Sequence, residues 1–284
     1  NMMLRGDQAC LQRRINIRTY KIVPTTPQSG IIEWVENTIP FGAYLCERPG
    51  KAALGAHSRY HPLDLKSSEC SGLMHEAKDK SSEEKEKIFM SICRRFRPAF
   101  RYFFLETFAD PSDWMEARIA YTRGVAATSM VGYILGIGDR HAQNILVDTT
   151  TAEVVHIDFG IMFEQGRVMT TPETVPFRLT RDVVDGMGIT GVEGSFRKCC
   201  EEVLRVLRQN FSQLLTILEV VIHDPLYKWS LSPVQVQARR QKQHLQTGGV
   251  GETHLKSYLG HQDAGQPSAH TAGGQGGSSS QDAA

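Results

Sequence analysis

Gly138-Asp139-Arg140-His141-Ala142-Gln143-Asn144, followed by Ile145-Leu146-Val147, a polar turn over Asp148 to Glu153, and Val154-Val155-His156-Ile157-Asp158-Phe159-Gly160, is the stretch that decides the fold. A charge-free run from Gly124 to Gly138 leads into it. Its fifteen residues suit a buried helix, whereas a membrane-spanning helix needs roughly twenty apolar residues. The two short apolar runs on either side of the turn read as a β-hairpin. The order is therefore helix, polar loop, strand, turn, strand, Asp-Phe-Gly. Asp139 and Asn144 stand five positions apart in the loop, and Asp158 closes the second strand. Moving a phosphoryl group requires an acceptor oxygen held in line and Mg²⁺ to neutralise the β and γ phosphates; one base and two oxygen ligands in these places could supply that. Each fragment alone is an ordinary turn or strand end, and the joint order carries the inference.

Working outward, Ile15 to Val23 alternate, Pro24 to Gly30 carry turn residues, and Ile31 to Val35 form a second apolar run, which predicts a hairpin. Apolar residues thin out from Glu47 to Lys80, so an irregular, exposed insertion is expected there. Ser81 and Glu84 form a capping box ahead of Ile88, Phe89, Ile92, Cys93 and Phe96 at helical spacing. Asp110 before Pro111 marks a second helix entry, with a pattern from Trp114 to about Leu135. Further helices are expected from Gly194 to about Arg208 and from Ser212 to about His223, the latter stopped by Asp224-Pro225. Beyond about Gln246 the composition turns to Gly, Ser, Gln, His and Ala, and a disordered tail is expected. The fold class is α+β with a mainly helical body.

At 284 residues and 40% hydrophobic, with 12 Phe, 8 Tyr and 3 Trp, the chain can bury one substantial core. Its 32 Lys and Arg nearly balance 31 Asp and Glu, so global charge points to neither nucleic acid nor an anionic membrane. No basic, aromatic-interleaved patch for direct nucleic-acid binding appears. The six cysteines show no Cys-x-x-Cys spacing and no matching His pair, a pattern of free thiols and not of a zinc site. The chain opens on Asn1 within a helical-looking segment, without a secretory signal, and reads as a fragment.

Asp-Arg-His inverts the His-Arg-Asp of ordinary protein kinases, and the inverted order is that of lipid kinases and their protein-kinase relatives. With Tyr121 to Asn144, Val155 to Gly166 and above all Thr171 to Gly194, the chain resembles the phosphatidylinositol 3-kinase-related protein kinases over residues 1 to about 232. The resemblance implies a protein-kinase-like (PI3K/PI4K-type) fold: the end of the N-lobe hairpin and the hinge in residues 1–35, a mainly helical C-lobe in 36–245, and the tail in 246–284. It implies that Asp139 orients or deprotonates the acceptor hydroxyl, that Asn144 and Asp158 hold Mg²⁺, and that His141 stabilises the transferring group. Arg140 would brace the loop, and His156, on the opposite strand face from Ile157, would be structural. ATP would be the donor, with Mg²⁺ or Mn²⁺. Backbone groups of Glu33 and Val35 would meet the adenine edge, Trp34 would pack against it, Leu146 and Ile157 would form its floor, and Tyr20 would line the inner pocket.

For the acceptor, a phosphoinositide calls for several cations in the activation segment. Between Asp158 and Phe177 there is one, Arg167, against Asp158, Glu164 and Glu173, which favours a protein over a lipid. By resemblance Val175, Pro176, Phe177 and Arg178 begin a segment that selects Ser or Thr followed by Gln. The family further implies a nuclear, DNA-damage-responsive kinase that dimerises as a full-length protein and is recruited by DNA-break sensor proteins, with no membrane partner. No Gly-rich phosphate loop or strand lysine precedes Ile15, and the match lapses after about Ser232, so little or no activity is expected from these residues alone. The competing expectations are a non-catalytic docking scaffold and a lipid kinase.

Overall fold

The structure is a computed structural model that describes residues 1–26, 29–46, 54–163, 165–169, 173, 175 and 177–223. Helices α1 (Met2–Gly6) and α2 (Gln8–Gln12) precede a hairpin of β1 (Ile22–Thr26) and β2 (Ser29–Ile32). Next come β3 (Thr38–Pro40), α3 (Phe41–Leu45), α4 (Ala56–Tyr60), α5 (Ser67–Glu76), α6 (Ser82–Arg95), α7 (Arg101–Thr107) and the long α8 (Pro111–Leu135). The chain continues with β4 (Ile145–Asp148), β5 (Val154–His156), a 3-10 turn (Gln165–Val168), α9 (Arg181–Asp185), α10 (Ser195–Gln209) and α11 (Phe211–Ile222).

Helix α8 starts where the Asp110 carboxylate accepts from the Ser112 and Asp113 amides, at 2.8 and 3.3 Å, with Pro111 at its first position. It stops at Gly136, which takes the left-handed conformation (φ 59°) that a C-cap glycine holds at no steric cost. Its middle, from Gly124 to Ser129, is buried, and small residues there let β5 come close: a Cβ on Gly124 would stand 3.4 Å from the Val154 nitrogen. Helix α10 packs along α8, and α1 and α2 pack on α10, where Arg205 bonds Asp7 at 2.7 Å. Strands β3, β4 and β5 form an antiparallel sheet with Pro40 opposite Leu146 and Ile145 opposite His156. The site loop leaves α8 and enters β4.

Phe41, Phe100, Phe103, Phe104 and Tyr121 form the centre of the core, with the Phe41 and Phe100 centroids 4.4 Å apart and Phe100 and Tyr121 5.3 Å apart. Burying each such ring contributes about 1.5–3 kcal/mol. Gly186 just after α9 lies against Phe100 and Tyr121, where a Cβ would approach to 2.6 and 2.8 Å. The Tyr121 hydroxyl donates to the Val183 carbonyl at 2.9 Å. All six cysteines are free.

Three expectations change. The strand expected from Ile15 begins only at Ile22, because the preceding residues turn toward the body: Ile15 is buried, the Ile17 amide donates to Asn1, and Arg18 pairs with Asp148. Similarly, the second apolar run is strand only to Ile32, and Glu33 to Val35 are irregular. Within the supposed insertion, residues 54–80 carry α4 and α5, with residues 47–53 outside the described set. Polar partners elsewhere in the chain hold α4: His57 bonds Asp182, and Arg59 and Tyr60 both donate to Glu106. Local composition carries no trace of such contacts. Helix α11 forms as expected but buries none of its residues. The disordered-tail expectation for 246–284 lies outside the described residues.

Candidate active site

Arg140 organises the loop. Only 6% exposed, it donates from Nε to the Gly138 carbonyl at 2.9 Å, from one terminal nitrogen to the Ile157 carbonyl at 2.7 Å, and from the other to the Asp158 carbonyl. Its guanidinium lies 5.3 Å from the Phe159 ring centroid. Burial pushes its pKa down, opposed by Asp139, Asp158, Glu173 and Tyr20, so these groups all lie within electrostatic reach of one cation. Asn144, also 6% exposed, is the second fastener. Its side-chain NH₂ donates to the Asp139 carbonyl at 2.9 Å, and its backbone carbonyl accepts from the Ile157 amide at 3.0 Å. Loop and strand end are thus locked together from both sides.

Asp139 and Asp158 both adopt positive φ, 57° and 59°, which non-glycine residues hold only when their surroundings impose it. The Asp158 side chain accepts from the Gly160 amide at 3.3 Å and is exposed. His141 Nε2 lies 4.0 Å from an Asp139 carboxylate oxygen. Its Nδ1 accepts from the Gln143 amide at 3.2 Å, which puts the proton of a neutral ring on the nitrogen facing Asp139. Under the loop His156 is enclosed with Arg140, Thr128, Phe177 and Arg178, and burial, then Arg140, lower its pKa to about 4.

The expected nucleotide side is more dispersed. Leu146 lies between Pro40 and Val155 in the sheet, and Ile157 follows β5; both are half-buried. Burial raises the pKa of the Tyr20 hydroxyl, which Arg140 lowers and Asp158 raises, so Tyr20 lies within electrostatic reach of both. Glu33 extends the hairpin, its amide donating to the Lys21 carbonyl at 2.9 Å, and the Val35 carbonyl accepts from the Thr38 hydroxyl at 2.8 Å. Trp34 is 86% exposed. Val175 faces solvent, whereas Phe177 and Arg178 turn inward to line the cavity under the loop; Pro176 lies outside the described residues.

Among the described residues no group of three or more His, Cys, Asp or Glu side chains could hold a metal unaided. The available donors, one carboxylate and one amide oxygen, fit Mg²⁺, which keeps several waters and completes its shell with phosphate oxygens. In the sequence Glu173 reads only as a negative charge. Both its carboxylate oxygens accept from the Asp139 amide, at 2.9 and 3.0 Å.

A loop with Asp139 and Asn144 braced against an Asp-Phe-Gly strand end, beside a helical body, defines a protein-kinase-like C-lobe. The family description "Phosphatidylinositol 3- and 4-kinase" matches residues 1–231, and the chain belongs to that family. It is 53% identical over 264 residues to the Arabidopsis thaliana "Serine/threonine-protein kinase ATM", covering 93% of this chain and 7% of that protein. To the Sus scrofa "Serine-protein kinase ATM" it is 52% identical over 242 residues, covering 85% and 8%. Among solved structures it is similar to "FAT and kinase domain of CtTel1", with a TM-score of 0.75, 48% identity, and coverage of 86% of this chain and 17% of that one. The chain therefore spans under a tenth of the length of these curated relatives.

Proposed function

We propose that the chain is the catalytic lobe of a serine/threonine protein kinase of the DNA-damage response, which transfers the γ-phosphate of ATP to Ser or Thr followed by Gln. The observation that supports this is the double lock of Arg140 and Asn144, which ties the backbone of the Gly138–Asn144 loop to that of Ile157 and Asp158. In this reading Asp139 orients the acceptor hydroxyl and takes its proton, while His141 stands beside it to meet charge developing on the transferring oxygens. Asn144 and Asp158 would hold Mg²⁺, whose role is to neutralise the phosphates. Glu33 and Val35 offer backbone groups to the adenine, Leu146 and Ile157 form its floor, Trp34 lies alongside, and Tyr20 closes the inner end.

The shortage of cations between Asp158 and Phe177 supports a peptide acceptor over a phosphoinositide. Val175 to Arg178 would seat the peptide. Relatives named for serine/threonine kinase activity support the same choice. A similar structure titled "Complete CtTel1 dimer with C2 symmetry" supports a homodimer for the complete protein. Nuclear localisation and recruitment by break-sensing proteins complete the proposal. In an assay of the complete protein with Mg²⁺ and ATP, Ser-Gln peptides should be phosphorylated and Ser-Ala peptides and phosphoinositides spared. Robust lipid turnover with failure on Ser-Gln would reverse the assignment.

A further inference from the structure

Glu173 lies 34 positions from the residue it grips, in the segment between Asp-Phe-Gly and α9. A carboxylate placing both oxygens on one amide makes a charge-assisted contact, stronger than a neutral hydrogen bond. Its seat is shaped for it. A Cβ on Gly138 would stand 2.7 Å from one carboxylate oxygen, and a Cβ on Gly166 would collide with the same atom. The Glu173 amide donates back to the Gly166 carbonyl at 3.1 Å, and the Gly138 amide donates to the Ile161 carbonyl at 2.9 Å. Three segments thus meet on one side chain: the end of the loop leaving α8, the residues after Asp-Phe-Gly, and the run leading to Val175, Phe177 and Arg178.

We propose that Glu173 is a positioning residue whose seat between Gly138 and Gly166 is a condition for correct placement of Asp139; this rests on the kinase assignment above. The left-handed backbone of Asp139 needs an external restraint, and the Glu173 carboxylate supplies it at the Asp139 amide itself. Displacing Glu173 withdraws the restraint and lets Asp139 turn away. The strip that receives the peptide and the residue that orients its hydroxyl are therefore coupled through one carboxylate.

The test compares wild type with Glu173→Ala, Glu173→Gln, Glu173→Asp and Gly166→Ala. Residue-resolved hydrogen exchange should show the Asp139 amide exchanging about tenfold faster or more in the Ala, Asp and Gly166→Ala variants, with Gln between them and wild type and the amides of β4 and β5 unchanged. In the complete protein kcat should fall by about tenfold to a hundredfold in the same order, with KM for ATP within about twofold of wild type. Gln retains an acceptor oxygen at full reach, whereas Asp is one methylene short; a role resting on charge alone would rank Asp above Gln. Unchanged exchange at Asp139, loss of protection spread across β4 and β5, or Asp outperforming Gln would each overturn the proposal. Absence of transfer by the wild type to any acceptor would refute the kinase assignment instead, and the exchange data would still decide the role of Glu173.

Discussion

Arg140 shows how one side chain can set a loop that carries chemistry. Removing it would leave the Gly138, Ile157 and Asp158 carbonyls without their shared donor in a buried place. Arg140→Ala should therefore cost roughly 2–4 kcal/mol in urea unfolding and abolish most phosphoryl transfer. Arg140→Lys keeps the charge, lacks the planar fork and should fall between. His156 gives a pH signature. Its folded pKa, about 4, is below the usual 6.5, so the unfolded chain binds the proton first as pH falls. Stability from this group is full above about pH 6.5, declines between 6.5 and 4 and then levels, by on the order of 3 kcal/mol at most. His156→Gln should flatten that part of the profile in denaturant titrations across pH. Asp139, Asn144 and Asp158 were legible in the sequence because their spacing and flanking strands state their relation. Glu173 was not, since its partner is a backbone amide, which leaves no mark in residue type.

Among the elements, α9 fastens the helical body. Asp182 accepts from the Ala99 amide at 2.8 Å and meets His57 at 3.1 Å, while Asp185 accepts from the Arg101 amide at 2.8 Å. These acids satisfy amides where α7 begins, so α9 serves as a cap supplied from some 80 positions away. Asp182→Ala leaves a buried amide and a buried histidine without their partner, and chemical denaturation should show a loss of about 1–3 kcal/mol. The caps of α6 and α8 lie within their own sequences: Ser81 and Glu84 bond reciprocally, and Asp110 caps two amides. Those helices could be read directly. The hold on α4 and α7 comes from elsewhere in the chain, and neither helix was anticipated.

At the scale of the molecule, the aromatic core, α8 and the β3-β4-β5 sheet form the body that carries the loop from Gly138 to Asn144. The β1-β2 hairpin stands apart, leaving Ile22, Val23, Ile31, Ile32 and Trp34 exposed. The α+β class and the helical body followed from the switch of hydrophobic period around Gly138 to Gly160. The packing of α1 and α2 on α10 did not, because it joins residues far apart in the chain, burying Leu4 and Cys10 and pairing Arg205 with Asp7.

The most direct test of the central claim, that Asn144 and Asp158 share a metal ion beside Asp139, is the Mg²⁺ dependence of phosphoryl transfer by the complete protein in wild type, Asp158→Asn and Asn144→Ala. Each substitution removes an oxygen ligand or its charge, so the Mg²⁺ needed for half-maximal rate should rise about tenfold or more, or transfer should vanish. An unchanged Mg²⁺ dependence at an unchanged rate in both variants would contradict the site as described.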